Sequence, residues 1–235
     1  MTVDLRADTW RDTAIELLAT CGLVMFTGLR DRNHLLRVAR RLVTIRPHRS
    51  AGADGVSVIA DRADQRSGYT AYSTAALPPH TDGTAMPNPA HLIILACQEQ
   101  AGAGGESLAI DGQAVYRTLA AEYPSELKEL CRPNSAVFNG LRSSVFAQLN
   151  DGRVVVRCRF DELVQYDPAV ASILAIFKAV IAKHTETVRL RPGEGYIIDN
   201  SRWAHGRAQF TGTRVMLRVL GDPLPDARLP LGFMP

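Results

Sequence analysis

Cysteine is scarce in this chain of 235 residues, and its four cysteines, Cys21, Cys97, Cys131 and Cys158, are far apart. This spacing fits neither a zinc motif nor a disulfide framework. The N-terminus lacks a basic segment followed by an apolar core, and no apolar run approaches the roughly 20 residues of a membrane span. Lysine is rare, the arginines are scattered and the formal charge is only +3, so no nucleic-acid-binding surface is indicated. We therefore expect a cytoplasmic protein that binds neither membranes nor nucleic acids.

The apolar residues predict strands on both sides of a helical middle. A chain of this length fits one domain, and we expect residues 1–235 to form a single domain. Helical spacing predicts helices at residues 9–20, 33–43, 113–121, 125–131 and 169–184. Strand-like segments lie at residues 23–26, 55–60, 91–97, 106–111, 145–149, 154–158, 187–190, 196–199 and 213–220. Because strands and helices do not alternate regularly, an antiparallel barrel or sandwich with helices outside it fits best.

A polar loop at residues 61–67 and an alternating segment at 69–76 lead to a break at Pro78-Pro79, and the most informative motif follows it. His80 and Asp82 are two residues apart, so on an extended strand they point to the same face and can bind one ion. A third ligand must come from elsewhere, and His205 is the best candidate. Two histidines and one carboxylate are the facial triad of non-haem Fe(II) oxygenases, which leaves positions open for substrate and oxygen.

Three other histidines are weaker candidates for metal ligands. His34, His91 and His184 lie within helix or strand patterns, and we interpret them as packed or surface residues.

Two arginines beyond His205 indicate an anionic ligand. Arg214 and Arg218 are four residues apart, so they share a face if the segment is a strand. A buried arginine is costly unless it is paired, and a dicarboxylate cosubstrate would supply the missing charge. The alternative is that both are solvent-facing charges on an edge strand, which predicts no ligand.

Five motifs occur in a particular order along the chain. They are Leu77-Pro-Pro-His-Thr-Asp82, Gly104-Gly-Glu-Ser-Leu108 with Asp111-Gly112, Gly193 with Asp199-Asn200, His205-Gly-Arg207, and Gly212 with Arg214 and Arg218. This set, which spans about three-fifths of the chain, resembles the iron- and 2-oxoglutarate-dependent oxygenases of the taurine dioxygenase and clavaminate synthase type. The resemblance implies a mainly β fold with flanking α-helices and a double-stranded β-helix core, the jelly roll of cupin-like proteins.

The resemblance also implies roles for individual residues. The implied ligands of Fe(II) are His80, Asp82 and His205, with no catalytic side chain beyond them. Arg214 would pair with the distal carboxylate of 2-oxoglutarate, helped by Ser107, which stands where family members usually have threonine. Arg218 would face the primary substrate or the cosubstrate, because the family uses this position for an anionic substrate group. A guanidinium group binds a carboxylate through two hydrogen bonds, which favours arginine over lysine.

The irregular stretch at residues 134–146 is our candidate for a substrate-contacting segment, because pocket loops carry specificity. The candidate substrate contacts are Phe138, Asn139, Arg142 and Trp203. An ordinary connection and a core tryptophan are equally good interpretations of these positions. Asn200 and Arg207 are expected to make hydrogen bonds around the ligand loop.

The implied activity is that of a 2-oxoglutarate-dependent dioxygenase, an oxidoreductase that uses Fe(II), 2-oxoglutarate and O2. We expect hydroxylation of an unactivated C–H bond in a small polar, anionic or amino-acid-like metabolite, with oxidative decarboxylation of 2-oxoglutarate to succinate and CO2. Desaturation, epoxidation or cyclisation in a biosynthetic pathway of secondary metabolism stay open, since they differ in substrate placement rather than in the ligands. Because Asp82 is retained, a halogenase is disfavoured.

Two other classes of protein stay open. A zinc hydrolase also uses two histidines and a carboxylate, but the sequence has no His-Glu-x-x-His motif and the arginine pair would be unexplained. The non-enzyme alternative is a catalytically inert β-helix binding protein.

Overall fold

The computed structural model describes residues 1–62, 70–100 and 102–235. The α-helices in this part of the chain are α1 (Trp10–Cys21), α2 (Arg32–Arg40), α3 (Gly112–Glu122), α4 (Pro124–Cys131) and α5 (Pro168–Lys183). The strands are β1 (Thr2–Asp4), β2 (Leu23–Thr27), β3 (Val43–Ile45), β4 (Val56–Ile59), β5 (Leu77–His80), β6 (Leu92–Glu99), β7 (Ala103–Gly104), β8 (Ser107–Asp111), β9 (Ala136–Phe138), β10 (Leu141–Ser143), β11 (Phe146–Gln148), β12 (Val154–Val156), β13 (Val164–Tyr166), β14 (Thr185–Val188), β15 (Gly195–Asp199), β16 (Trp203–Arg207), β17 (Phe210–Thr211) and β18 (Val215–Pro223). Most of the predicted loop at residues 61–67 and the start of the segment at 69–76 lie outside the described residues.

The helices confirm the sequence pattern and end where local chemistry requires it. Gly22 terminates α1 with a φ of 69°, a left-handed conformation that glycine adopts without a Cβ penalty. Asp167 caps α5 by accepting a hydrogen bond from the Val170 backbone N–H at 3.1 Å. Helix α2 ends earlier than predicted, because Val43 begins β3. Among the described residues, no helix has the length and apolar character that a membrane crossing requires.

Two sheets form the body of the protein. The larger has the order β1-β2-β15-β6-β18-β3, with β4 also pairing with β18, and the smaller has the order β14-β8-β16-β5. Short ribbons, β10-β9-β13, β11-β12 and β17-β7, complete the β structure of the described residues. This mainly β architecture with helices outside it is the predicted jelly-roll core.

Alternate residues of β6 show where the core lies. Ile94 packs with residues of α1 and α2 on the outer face of the larger sheet. Ile93 and Leu95 face inward and cluster with Ala109 and Trp203 of the smaller sheet. Helices α3, α4 and α5 cover the outer face of the smaller sheet. The continuous apolar run at residues 91–97 is explained, because β6 is covered on both faces.

The strand pairing adds one feature that was not predicted, corrects one expectation and excludes one alternative. Strand β1 pairs with β2 in parallel, because α1 connects them as a crossover helix. Pro78-Pro79 does not break the chain but lies within β5, at the edge of the smaller sheet, where a missing N–H is tolerated. The segment after residue 214 is not an edge strand, since β18 lies between β6 and the pair β3 and β4.

Candidate metal centre

Strands β5 and β16 place two histidines beside each other. His80 and His205 are register partners in the antiparallel pairing of these strands, and their ring centroids are 4.4 Å apart. His80 Nδ1 lies 3.0 Å from the Pro78 carbonyl oxygen, which favours the tautomer with the proton on Nδ1. His80 Nε2 is then free to act as a ligand, and it lies 3.6 Å from Asp82 Oδ1.

The loop that carries Asp82 is fixed by Asn200, which follows β15. The Asn200 side-chain oxygen accepts a hydrogen bond from the Asp82 N–H at 2.7 Å. Its amide nitrogen donates to the carbonyl oxygens of Asp82 at 3.0 Å and of Ala90 at 2.9 Å. Thr81 is also held, because its N–H donates to the Cys158 carbonyl oxygen at 2.8 Å. The expectation that Asn200 supports the ligand loop is confirmed.

The three predicted ligands converge. One ligand atom from each of His80, Asp82 and His205 lies within 4.8 Å of the other two, and these residues form the group with metal-ligand chemistry that is found among the described residues. Neutral imidazoles and an ionised carboxylate are the forms that bind a metal ion.

The electrostatics of the site favour those forms. Burial lowers the pKa of His205 to about 3, and the neighbouring His80 adds to this effect, so His205 is neutral near pH 7. Burial raises the pKa of Asp82, but Arg218 and the two histidines outweigh that effect and hold it well below its usual value. His205 and Asp82 are therefore in the protonation states that a divalent ion requires.

Arg218 lies directly against this carboxylate. Its Nη1 is 2.8 Å from Asp82 Oδ2, and the side chain is 7% exposed. Its Nη2 lies 3.4 Å from His48 Nδ1, and its Nε has no hydrogen-bond partner among the described residues. Arg218 was expected to face the substrate or the cosubstrate, and in the structure its principal contact is Asp82.

A second buried arginine has no carboxylate partner among the described residues. Arg214 is 5% exposed, and its Nε donates to the Gly105 carbonyl oxygen at 3.0 Å. No ion pair of Arg214 is found within the described part of the chain, and burial lowers its pKa. Ser107, 2% exposed, begins β8 two residues after Gly105. A buried positive charge without a protein counter-ion fits an anionic ligand, and the solvent-facing alternative is wrong.

The sequence model of the family described as "Taurine catabolism dioxygenase TauD, TfdA family" matches residues 2–220. The chain belongs to the TauD/TfdA family. Trimethyllysine dioxygenase of Gallus gallus, a mitochondrial protein, is 26% identical over 191 residues, which are 71% of this chain and 46% of that protein. Gamma-butyrobetaine dioxygenase of Homo sapiens is 24% identical over 243 residues, 92% of this chain and 60% of that protein. This chain thus spans about half the length of these curated relatives.

Solved structures of several oxygenases share the fold. Asparagine oxygenase, in complex with Fe(II), 3-hydroxyasparagine and succinate, superposes with a TM-score of 0.71 at 15% identity, covering 92% of this chain and 80% of that one. The non-haem iron oxygenase OrfP, in complex with 3-hydroxyarginine, gives a TM-score of 0.72 at 13% identity over 92% of this chain and 80% of that one.

In this TauD/TfdA-family chain, two further arginines hold the loop after Asp82. Arg157 donates to the carbonyl oxygens of Thr84 and, at 2.7 Å, of Met86. Arg159 donates to the Thr84 hydroxyl at 3.0 Å and pairs with Asp161, whose oxygen is 2.5 Å from its Nη2. The contacts with the loop could not be predicted, because Arg157 and Arg159 are more than 70 residues from Met86 and Thr84.

Arg207 fixes the segment before β5. Its guanidinium donates to the carbonyl oxygens of Ala71 at 3.1 Å and Ser73 at 2.8 Å, and also to that of Ala75. Burial lowers the pKa of Arg207 to about 10, helped by the neighbouring Arg214. The expected hydrogen-bonding role near the ligand loop is confirmed.

A polar cluster beside Arg218 was missed by the sequence reasoning. It consists of His48, Ser50, Ser57 and Tyr72. His48 Nδ1 lies 2.7 Å from the Ser50 hydroxyl, to which the Tyr72 hydroxyl donates at 2.5 Å. Ser57 is the register partner of Arg218 across β4 and β18. A lone histidine after a proline carried no recognisable signal, and only the fold brings it to the metal centre.

Of the predicted substrate contacts, two are buried and two are exposed. Trp203 belongs to the interior cluster and its indole N–H donates to the Cys21 carbonyl oxygen at 2.8 Å, which supports its interpretation as a core residue. Phe138 is fully buried in β9, whereas Asn139 and Arg142 are exposed. No hydrogen bond, ion pair or ring contact joins these three to the triad within the described residues.

Proposed function

We propose that this chain is an Fe(II)- and 2-oxoglutarate-dependent oxygenase that hydroxylates an unactivated C–H bond of a small polar, anionic or amino-acid-like metabolite. In the balanced reaction, one oxygen atom of O2 enters the substrate as a hydroxyl group. The other enters succinate as 2-oxoglutarate loses CO2. We further propose that residues 1–235 act as one dioxygenase domain whose partner is a small molecule.

One observation carries this proposal. A His-Asp-His triad, in which His205 is neutral and Asp82 is ionised, occurs together with the buried Arg214, which has no ion pair among the described residues. A zinc hydrolase would need the triad but not the arginine. The TauD/TfdA family membership of the chain agrees with an oxygenase, which needs both.

Each group of residues would have a separate role in this reaction. A bound Fe(II) ion would supply the redox chemistry that couples decarboxylation of the cosubstrate to oxidation of the substrate. His80, Asp82 and His205 would hold that ion on one face, so that other positions stay open. Arg214, with Ser107, would bind and orient the distal carboxylate of 2-oxoglutarate. The apolar interior around Ile93 and Leu95 excludes water from the reacting groups.

Arg218 and the His48 cluster lie on one side of the triad, and their polar groups indicate the class of substrate. Arg218 has an Nε donor without a partner among the residues that the structure describes, and the cluster adds hydroxyl groups and an imidazole. Such a surface recognises a carboxylate or another anionic group by charge-assisted hydrogen bonds. Relatives named for trimethyllysine and gamma-butyrobetaine support an amino-acid-like substrate. Asn139 and Arg142 stay candidates for further contacts, and Phe138 for the wall behind them.

The reaction is tested by succinate release. Purified protein is incubated with Fe(II), 2-oxoglutarate and O2, and screened with polar amino acids, sulfonates and other small acids. We expect succinate formation that needs both Fe(II) and O2 and is stimulated by the substrate, with a hydroxylated product of 16 additional mass units per oxygen atom. Hydrolysis of a candidate substrate with Zn(II), without any consumption of 2-oxoglutarate, would instead support the hydrolase.

A further inference from the structure

Tyr196 lies in the middle of the larger sheet and faces the interior. It is the register partner of Leu95 in β6, and Leu95 is the register partner of Arg218 in β18. Partners in register on neighbouring strands point to the same face. The side chains of Tyr196 and Arg218 therefore both project from the interior face of the larger sheet. Tyr196 is 2% exposed and belongs to the interior cluster. By sequence alone it reads as an ordinary core residue of an apolar strand.

The hydroxyl group of Tyr196 is unusual for a core tyrosine. It is buried and has no hydrogen-bond partner among the residues that the structure describes. Buried tyrosine hydroxyls normally find a partner, because an unsatisfied polar group costs free energy. Burial also raises the pKa of this group far above its usual value, so it keeps its proton and stays a donor. An orphaned buried donor needs an explanation.

The surroundings of this hydroxyl indicate what it donates to. The positive charges of Arg214 and Arg218 lower the pKa of Tyr196, and so does a contact with the Ser107 hydroxyl that lacks the geometry of a full hydrogen bond. Of the guanidinium nitrogens of Arg214, only Nε has a hydrogen-bond partner within the described residues. Arginine, serine and tyrosine donors thus lie near one another, and the Asp82 carboxylate beside them is already paired with Arg218.

We propose that Tyr196 is a cosubstrate-binding residue whose hydroxyl donates a hydrogen bond to the distal carboxylate of 2-oxoglutarate, alongside Arg214 and Ser107. A carboxylate offers about four lone-pair sites, enough for all three donors. This inference rests on the proposed oxygenase function. It adds a third donor that would discriminate a dicarboxylic 2-oxo acid from shorter 2-oxo acids, since a site built to hydrogen-bond a group rejects analogues without it.

The test compares Tyr196→Phe with the wild type in anaerobic titrations. Binding of 2-oxoglutarate to the Fe(II)-loaded protein is followed through its visible charge-transfer band. The control ligand is 2-oxobutanoate, which has the keto and C1 carboxylate groups but ends in a methyl group. We expect the Kd for 2-oxoglutarate to rise about 10-fold or more, as for loss of a hydrogen bond to a charged group. The Kd for 2-oxobutanoate should change by less than about 2-fold.

A control variant separates this role from general damage. Tyr116→Phe removes a tyrosine hydroxyl in α3, where the ring packs on Phe146 and Phe233 behind the smaller sheet. This variant should bind 2-oxoglutarate as the wild type does. In addition, ligand-free Tyr196→Phe should unfold at the same temperature as the wild type or higher, because the substitution removes an unsatisfied polar atom.

Several outcomes would overturn the inference. Equal 2-oxoglutarate affinity in Tyr196→Phe and the wild type, with a normal band in both, would overturn it and leave the oxygenase function standing. Equal weakening of both 2-oxo acids, or a lower unfolding temperature of the ligand-free variant, would assign Tyr196 a structural role. Absence of the band from wild-type protein would overturn the proposed function and this inference together.

Discussion

Arg218 and Asp82 form a buried ion pair whose closest atoms, Nη1 and Oδ2, are 2.8 Å apart, with the two side chains 8% and 12% exposed. The pair joins the metal centre to the wall that carries the His48 cluster. Because Arg218 engages Oδ2, Asp82 Oδ1 is the oxygen that faces His80. This arrangement favours binding of a metal ion through one carboxylate oxygen.

Removal of Arg218 should destabilise the metal-free protein. Arg218→Met leaves the Asp82 carboxylate buried without a counter-charge, and the loss of one partner of a buried pair typically costs about 3–5 kcal/mol. Saturating Mn(II) should restore part of the stability, because the cation replaces the lost charge. Urea denaturation with and without Mn(II) measures both effects. If the metal-free variant has the same free energy of unfolding as the metal-free wild type, the ion pair contributes little to stability.

Arg214 should be required for the cosubstrate but not for the metal ion. Arg214→Ala is expected to abolish succinate formation at cosubstrate concentrations that saturate the wild type, because the distal carboxylate loses its counter-charge. Iron content after anaerobic loading should be unchanged. Arg117→Ala, at an exposed position of α3, is the matched control for cosubstrate affinity. Unchanged 2-oxoglutarate affinity in Arg214→Ala would place the cosubstrate site elsewhere.

Asn200 should act on metal affinity through the Asp82 loop. Asn200→Ala removes the hydrogen bonds that hold the backbone of Asp82 and the Ala90 carbonyl. Loss of such supporting contacts typically lowers metal affinity about 10–100-fold. Competitive metal titration measures the change, with the exposed Asn150→Ala as control. Identical metal affinities of the two variants would mean that the loop is held by other contacts.

The cap of α5 should give a pH-dependent contribution to stability. The hydrogen bond from Val170 N–H, helped by the Arg132 pair, holds the pKa of Asp167 below its usual value. A depressed carboxyl pKa contributes stability above the unfolded-state value, about 3.9, which is lost as pH falls through the folded-state pKa. Asp167→Ala should therefore cost about 1 kcal/mol at pH 7 and less near pH 3. Urea denaturation at both pH values measures it, and a pH-independent difference would contradict this account.

The parts of the fold that were predictable are those governed by local spacing. The helices followed from apolar periodicity, and the Gly22 end of α1 followed from glycine's access to positive φ. The triad was predictable because His80 and Asp82 are two residues apart, and an ion-binding pair needs a third partner. The resemblance to a family then supported the choice of His205 and Arg214 and added Ser107, which spacing alone does not single out.

The parts that could not be predicted depend on contacts between distant segments. His48 reaches Arg218 only because β4 and β18 are paired, and the two residues are 170 apart in sequence. Pro78-Pro79 looked like a break because the sequence does not show that β5 is an edge strand. In the sequence, Tyr196 resembles an ordinary core residue. Only the structure shows that its hydroxyl group has no hydrogen-bond partner among the described residues.

Anaerobic absorption spectroscopy tests the central claim most directly. Addition of Fe(II) and 2-oxoglutarate to wild-type protein should give a weak charge-transfer band in the visible, which requires a metal ion and a chelating 2-oxo acid at one site. His205→Ala, which removes one of the three ligands, should lose the band while it keeps a folded circular dichroism spectrum. A well-folded wild-type protein without the band, or an equal band in His205→Ala, would contradict the account.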